Sequence, residues 1–168
     1  MNSKKEQERA ELHRMIWEIA NDLRGSVDGW DFKQYVLGMM FYRFISENIV
    51  DTINTIQRKK NPSYKYEEET DENAEKARTL LVETKGFFIL PSQLFCNVIK
   101  KYKDNYTTLN IVLDQIFKSI ERSAIGNASE DDIKGLFDDI DVNSNKLGST
   151  DEQKNSKLIR LMISIQDL

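Results

Sequence analysis

The chain has 168 residues, of which 39% are hydrophobic and 31% charged, a balance that suits one soluble, helix-rich domain with a real core. Its formal net charge of −4 argues against a stand-alone nucleic-acid binder, which carries a basic excess, although a local basic face stays open. The one cysteine, Cys96, excludes an internal disulfide framework and fits a reducing compartment, the cytoplasm.

The N-terminal stretch MNSKKEQERAELHR is charged and lacks the apolar core of a signal peptide. Residues 4–24 are expected to form the first helix. Leu12, Met15, Ile16, Ile19, Ala20 and Leu23 recur on one face, and Gly25 is placed as a C-terminal stop. Asp31 is then positioned to cap a second helix, with Gln34 as its reciprocal partner.

That second helix, over 32–56, is expected to organise the fold. Between Tyr35 and Ile45 only Gly38 and Arg43 interrupt an apolar and aromatic run, so the helix is expected to be buried on several sides. Gly38 weakens a helix by roughly 1 kcal/mol relative to Ala, which points to close approach of another helix there. Beyond Ile45 the pattern narrows to Ile49, Ile53 and Ile56, so the far end should emerge at the surface. No apolar run reaches the roughly 18–20 residues that a membrane-spanning helix needs.

Residues 58–73 are expected to be a charged loop, because Pro62 ends any helix. A modest helix over 74–83 would carry Ala74, Ala77, Leu80 and Leu81 on one side, and Gly86 would end it. Phe87–Leu90 fits either a lone strand or an extended plug. Pro91 and Ser92 are expected to open the next helix, with Leu94, Phe95, Val98, Ile99 and Tyr102 facing inward. Thr107 or Thr108 starts another, with Leu109, Val112, Leu113, Ile116, Phe117 and Ile120 at helical spacing and Gly126 as its stop. Residues 127–148 are expected to be mostly irregular, anchored by Ile133, Leu136, Phe137 and Ile140. Ser149 with Glu152 forms a capping box for a last helix carrying Leu158, Ile159, Met162 and Ile165. The fold class is therefore all-α: an irregular bundle of five or six helices around 32–56, with at most a trace of β.

No catalytic chemistry is written in these residues. The single histidine, His13, precludes a histidine metal cluster, and its plain role is a solvated side chain. Cys96 is expected to be a buried structural thiol. Neither a dinucleotide-binding glycine motif nor a Walker motif is present, and with only Pro62 and Pro91 there is no Asn-Pro-Pro-aromatic loop. Asp141, Asn143, Asn145, Ser149 and Glu152 fall at calcium-loop spacing. Lys146 occupies the place of the required glycine, however, so a polar turn before a helix cap is the better reading. Two basic clusters, Arg58-Lys59-Lys60 and Lys100, Lys101 and Lys103, are candidates for DNA phosphate contacts. Their plain alternative is a solvated loop and a helix C-terminus.

One block carries a family signature: Trp17, Ala20, Leu23, Arg24 and Gly25, then Tyr35-Val36-Leu37-Gly38, Phe41 and Arg43-Phe44-Ile45-Ser46. It resembles the N-terminal helical domain of the methyltransferase (modification, M) subunit of type I restriction-modification systems, with Arg43 where that family often has Lys. The later Phe137, Ile140-Asp141, Asn143-Ser144 and Leu147-Gly148 pattern is similar as well. The resemblance implies a parent subunit that is an S-adenosylmethionine-dependent DNA adenine-N6 methyltransferase. Its partners would be a specificity subunit and, in the restricting complex, a motor-nuclease subunit. It also implies that residues 1–168 form a single N-terminal domain, non-catalytic by itself, with the cofactor motif and catalytic loop expected downstream. No catalytic, cofactor or metal residue is therefore assigned within the chain. The alternative is an unrelated helical adaptor that binds a partner helix in a groove.

Overall fold

The computed structural model describes residues 3–7, 9–11, 14 and 29–168. Residues 3–7 and 9–11 are helical and exposed, and Arg14 lies 3.6 Å from Glu11. The rest of the helix expected over 4–24 lies outside the described residues, together with His13, Trp17, Leu23, Arg24 and the stop at Gly25.

Besides the helical residues near the N-terminus, there are seven α-helices and no strand among the described residues. They are α1 (Gly29–Gln57), α2 (Asp71–Glu75), α3 (Arg78–Lys85), α4 (Phe95–Tyr102), α5 (Leu109–Ala124), α6 (Glu130–Asp138) and α7 (Asp151–Gln166). The all-α expectation holds. The count exceeds five or six for two reasons. The segment expected as one helix over 74–83 divides into α2 and α3, and residues 130–138, expected to be irregular, form α6. In α6 the spacing of Ile133 and Phe137, both buried, is one helical turn, and Glu130, Asp131 and Asp132 stand in its first turn, where the helix dipole favours acids. The acidic residues here mark a helix start, not a loop.

Helix α1 spans Gly29–Gln57, so the backbone of Asp31, expected at a cap position, lies within the helix. It packs on α4, α6 and α7. Tyr35, Val36, Met39, Tyr42, Ile45, Ile49 and Ile53 form its buried face. The expected burial on several sides does not extend to Leu37 and Phe44, which are 46% and 62% exposed. Seven residues apart, they occupy one stripe of the helix that faces away from the neighbours. Gly38 is a point of close approach, but to one side chain and not to a helix. A Cβ there would overlap Cδ1 of Ile140, which follows α6.

The core is centred on aromatic rings. The Tyr42 ring meets Phe95 and Phe117 edge-on, each with 5.4 Å between centroids, and Phe117 stacks on Phe137 at 4.4 Å. Helix α5 packs against α6 and α7, and α4 against α7.

The FFIL segment, Phe87–Leu90, is an extended plug beneath these helices. Phe87, Phe88 and Ile89 are buried, and side chains rather than a neighbouring strand satisfy its backbone. The Phe88 N–H donates to Ser123 Oγ (2.9 Å), Tyr66 Oη donates to the Ile89 carbonyl (2.6 Å), and the Leu90 N–H donates to Gln93 Oε1 (3.2 Å). Gly86 ends α3 with φ of 85°, as its position in the sequence indicates. Pro91 does not open α4. It starts a 3₁₀ turn, Pro91–Gln93, after which Leu94 is extended and α4 begins at Phe95. On α3, Leu81 is buried but Leu80 is 57% exposed, so the two do not share the expected inward face.

The last cap is displaced by one residue from the expected Ser149–Glu152 pair. Thr150 Oγ1 accepts from the Gln153 N–H (3.2 Å), and Gln153 Oε1 accepts from the N–H groups of Ser149 (2.9 Å) and Thr150 (3.4 Å). Gln153 fills the reciprocal role because it stands three residues after the true cap.

Candidate nucleic-acid contact surface

Arg58, Lys59 and Lys60 follow directly on α1 and are all exposed. Arg58 is held in place, its Nε donating to the Tyr64 carbonyl at 2.9 Å, which ties the start of the loop back to the helix end. Lys59 and Lys60 make no side-chain bond among the described residues. Further along the same loop, Lys65 lies 3.5 Å from Glu68.

Lys100 and Lys101 occupy the last turn of α4, where cations favour the helix C-terminus, and Lys103 follows as its C-terminal cap residue. Lys101 Nζ lies 5.4 Å from the centre of the Tyr102 ring. The next residues, Asp104 to Thr107, border a hollow of about 490 Å³ closed on the other side by Asp151 and Glu152. The second basic cluster therefore sits beside an acidic rim. The structure ties the two clusters to different surroundings, the first to the loop around Tyr64 and the second to the start of α7.

Several expected structural roles can be placed. Tyr35 is buried and its hydroxyl donates to the Asp141 carbonyl at 2.5 Å. Phe41 is half-buried against Phe137, with 6.2 Å between ring centroids, and Ile45 is in the core. Arg43 donates from Nε to Glu47 (2.9 Å) and from Nη1 to the Ile165 carbonyl, binding α1 to the end of α7. The oxygens of the calcium-like loop serve the fold. Asp141 Oδ1 accepts from the Asn143 N–H (3.0 Å), and Asn143 Oδ1 accepts from Asn110 Nδ2 (2.8 Å).

Cys96 does not have its expected buried position. It is exposed on α4, beside a small hollow of about 160 Å³ lined by Arg43, Glu47, Glu67 and Gln166 among others. Partial desolvation raises its thiol pKa above the ordinary value, and the neighbouring carboxylate of Glu67 adds to the effect. The α4 helix buries Phe95, Val98 and Ile99, and position 96 falls between those contacts.

No pattern in the sequence marks Arg78, Ser119 and Arg122, yet α3 and α5 bring them together around a hollow of about 580 Å³. Arg78 is far in the chain from Ser119 and Arg122, which lie one turn apart on α5, so only the tertiary fold places it beside them. Glu75 raises the Arg78 pKa and Arg78 lowers that of Glu75 through paired hydrogen bonds of 2.7 Å each.

Comparison with known proteins agrees with this helical frame. A family model described as the HsdM N-terminal domain matches residues 12–165. The type I restriction enzyme MpnII methylase subunit of Mycoplasma pneumoniae is 44% identical over 174 aligned positions, covering 100% of this chain and 32% of that protein. A crystal structure of the type I restriction-modification system methyltransferase subunit from Streptococcus thermophilus superposes with a TM-score of 0.75 at 26% identity. That match covers 95% of this chain and 34% of the other. The chain thus spans about a third of the length of the relatives it matches.

Proposed function

Because the chain belongs to the HsdM N-terminal domain family, we propose that it acts as the helical positioning module of a type I restriction-modification methylase subunit. The observation that carries this reading is the match over residues 12–165, nearly the whole chain, together with relatives that are methylase subunits about three times as long. The unrelated-adaptor alternative has no such support.

In this reading the parent subunit transfers a methyl group from S-adenosylmethionine to the N6 amine of adenine, using a cofactor motif and an Asn-Pro-Pro-aromatic loop downstream. The chain itself supplies no reacting group. A target adenine must leave the stack before its amine can be methylated, so the enzyme has to enclose the duplex and hold its partners in register. A rigid helical module beside the catalytic domain serves that purpose. The specificity subunit and, in the restricting complex, the motor-nuclease subunit are its proposed partners. Arg58, Lys59 and Lys60, with Lys100, Lys101 and Lys103, are its proposed phosphate-binding residues.

Two measurements test this. Calorimetry of the 168-residue chain with S-adenosylmethionine should give no binding heat, and measurable affinity would overturn the non-catalytic assignment. In the full-length, assembled methylase, reversing the charges of Lys59 and Lys60 should reduce the log–log salt slope of DNA binding by about 0.9 for each phosphate that is no longer neutralised. An unchanged slope would make these two residues plain surface.

A further inference from the structure

The hollow between α3 and α5 is a donor-rich site that no feature of the sequence announces. Two of its lining residues, Arg78 and Ser123, also contact the FFIL plug. Arg78 lies over the Phe88 ring, 4.5 Å from its centre, and Ser123 Oγ accepts from the Phe88 N–H. Arg78 is held on two sides, by this ring and by Glu75, which takes hydrogen bonds from Nε and Nη2. Nη1 makes no hydrogen bond among the described residues, and Arg78 lines the hollow. Opposite, Arg122 stands in the last turn of α5 and has no side-chain hydrogen bond or ion pair among the described residues. Ser119 Oγ accepts from Gln93 Nε2 at 3.2 Å and keeps its own proton for another acceptor. The Thr79 hydroxyl also lines the space, and Glu83 is the one carboxylate on the lining.

The unpaired Arg122 fork, the remaining Nη1 of Arg78 and the Ser119 hydroxyl belong to side chains that line one opening, where Glu83 is the one carboxylate on the lining. Planar forks of this kind pair with the oxygens of phosphate groups. We infer that the hollow lined by Arg78, Ser119 and Arg122 binds a phosphate group. Resting on the functional reading above, we assign that phosphate to the DNA backbone rather than to free phosphate. Glu75 already balances Arg78, so Arg122 carries the net attraction and the interaction is weak. Such contacts position a duplex without reading its sequence.

The test uses the 168-residue chain and the variants Arg122→Gln and Glu83→Gln, both at exposed side chains without partners, so folding is retained. A Lys59→Glu/Lys60→Glu double variant serves as comparison. Binding of a short duplex of arbitrary sequence is read by fluorescence anisotropy across salt, and binding of inorganic phosphate by amide NMR shifts. Arg122→Gln should weaken duplex binding about 3- to 5-fold at low salt and lower its salt slope by about 0.9. Glu83→Gln should tighten it about twofold. Amide shifts with inorganic phosphate that centre on Thr79 and Ser119 and vanish in Arg122→Gln, without any duplex binding, would keep the phosphate site and overturn DNA as its source. Duplex binding that responds only to the lysine variant would overturn the hollow and leave the proposed function standing. Absence of both kinds of binding would overturn the hollow as well.

Discussion

At the scale of single residues, two positions carry more consequence than their identity suggests. Gly38 faces Ile140 so closely that an added methyl overlaps its Cδ1. Ala would gain up to about 1 kcal/mol of helix propensity, but overpacking costs about 1–3 kcal/mol. Gly38→Ala should therefore lower stability on balance, by up to about 2 kcal/mol, in a denaturant titration. Ile140→Ala costs stability by itself, but combined with Gly38→Ala the total loss should be less than the sum of the separate losses, because the two sites share one space. A stabilised Gly38→Ala chain would contradict the packing described. Cys96 is the second case. An exposed thiol with a raised pKa should be modified in the folded chain, slowly at neutral pH and faster as pH rises, since the thiolate is the nucleophile. Glu67→Gln should quicken the reaction by removing a neighbouring negative charge. Modification that requires unfolding would place the thiol inside.

At the scale of elements, the FFIL plug shows why four apolar residues leave strand and plug indistinguishable. What decides is the partner of each backbone group, and those partners come from Tyr66, Gln93 and Ser123, none of them in the segment. Tyr66 is almost wholly buried, and burial pushes its phenol pKa upward, so it stays a neutral donor to Ile89 throughout the range in which the protein is handled. Tyr66→Phe leaves the Ile89 carbonyl without its partner and should lower stability by about 1–2 kcal/mol in thermal or chemical unfolding. No change would mean that another donor replaces the phenol. Helix α1 could be read as a helix by its apolar density, though its exposed stripe could not, and the periodicities of α5 and α7 could be read from sequence because each has a dominant buried stripe. The start of α4 and the whole of α6 could not. Pro91 belongs to a 3₁₀ turn that precedes α4, and α6 is only nine residues long with few buried side chains.

At the scale of the whole molecule, the stripe of Leu37 and Phe44 on α1 separates the needs of this chain from those of the larger subunit. Both positions belong to the family signature, yet neither contributes to the core. Leu37→Ser and Phe44→Ser should change the stability of the 168-residue chain by no more than about 0.5 kcal/mol. Phe137→Ala, in the aromatic core, should cost about 3–5 kcal/mol. If the stripe meets the rest of the methylase subunit or its specificity partner, the same serine variants should weaken assembly on size-exclusion chromatography, and full assembly would leave the stripe without that role. The sequence by itself determined the helical class, the identity of the central helix, most of its buried face and the family, because hydrophobic period and residue order are local properties. Only the tertiary structure decided which apolar residues stay in solvent, what approaches Gly38, and that Arg78 and Arg122 flank one hollow. These depend on which helices lie side by side, and spacing along a single chain segment does not encode that.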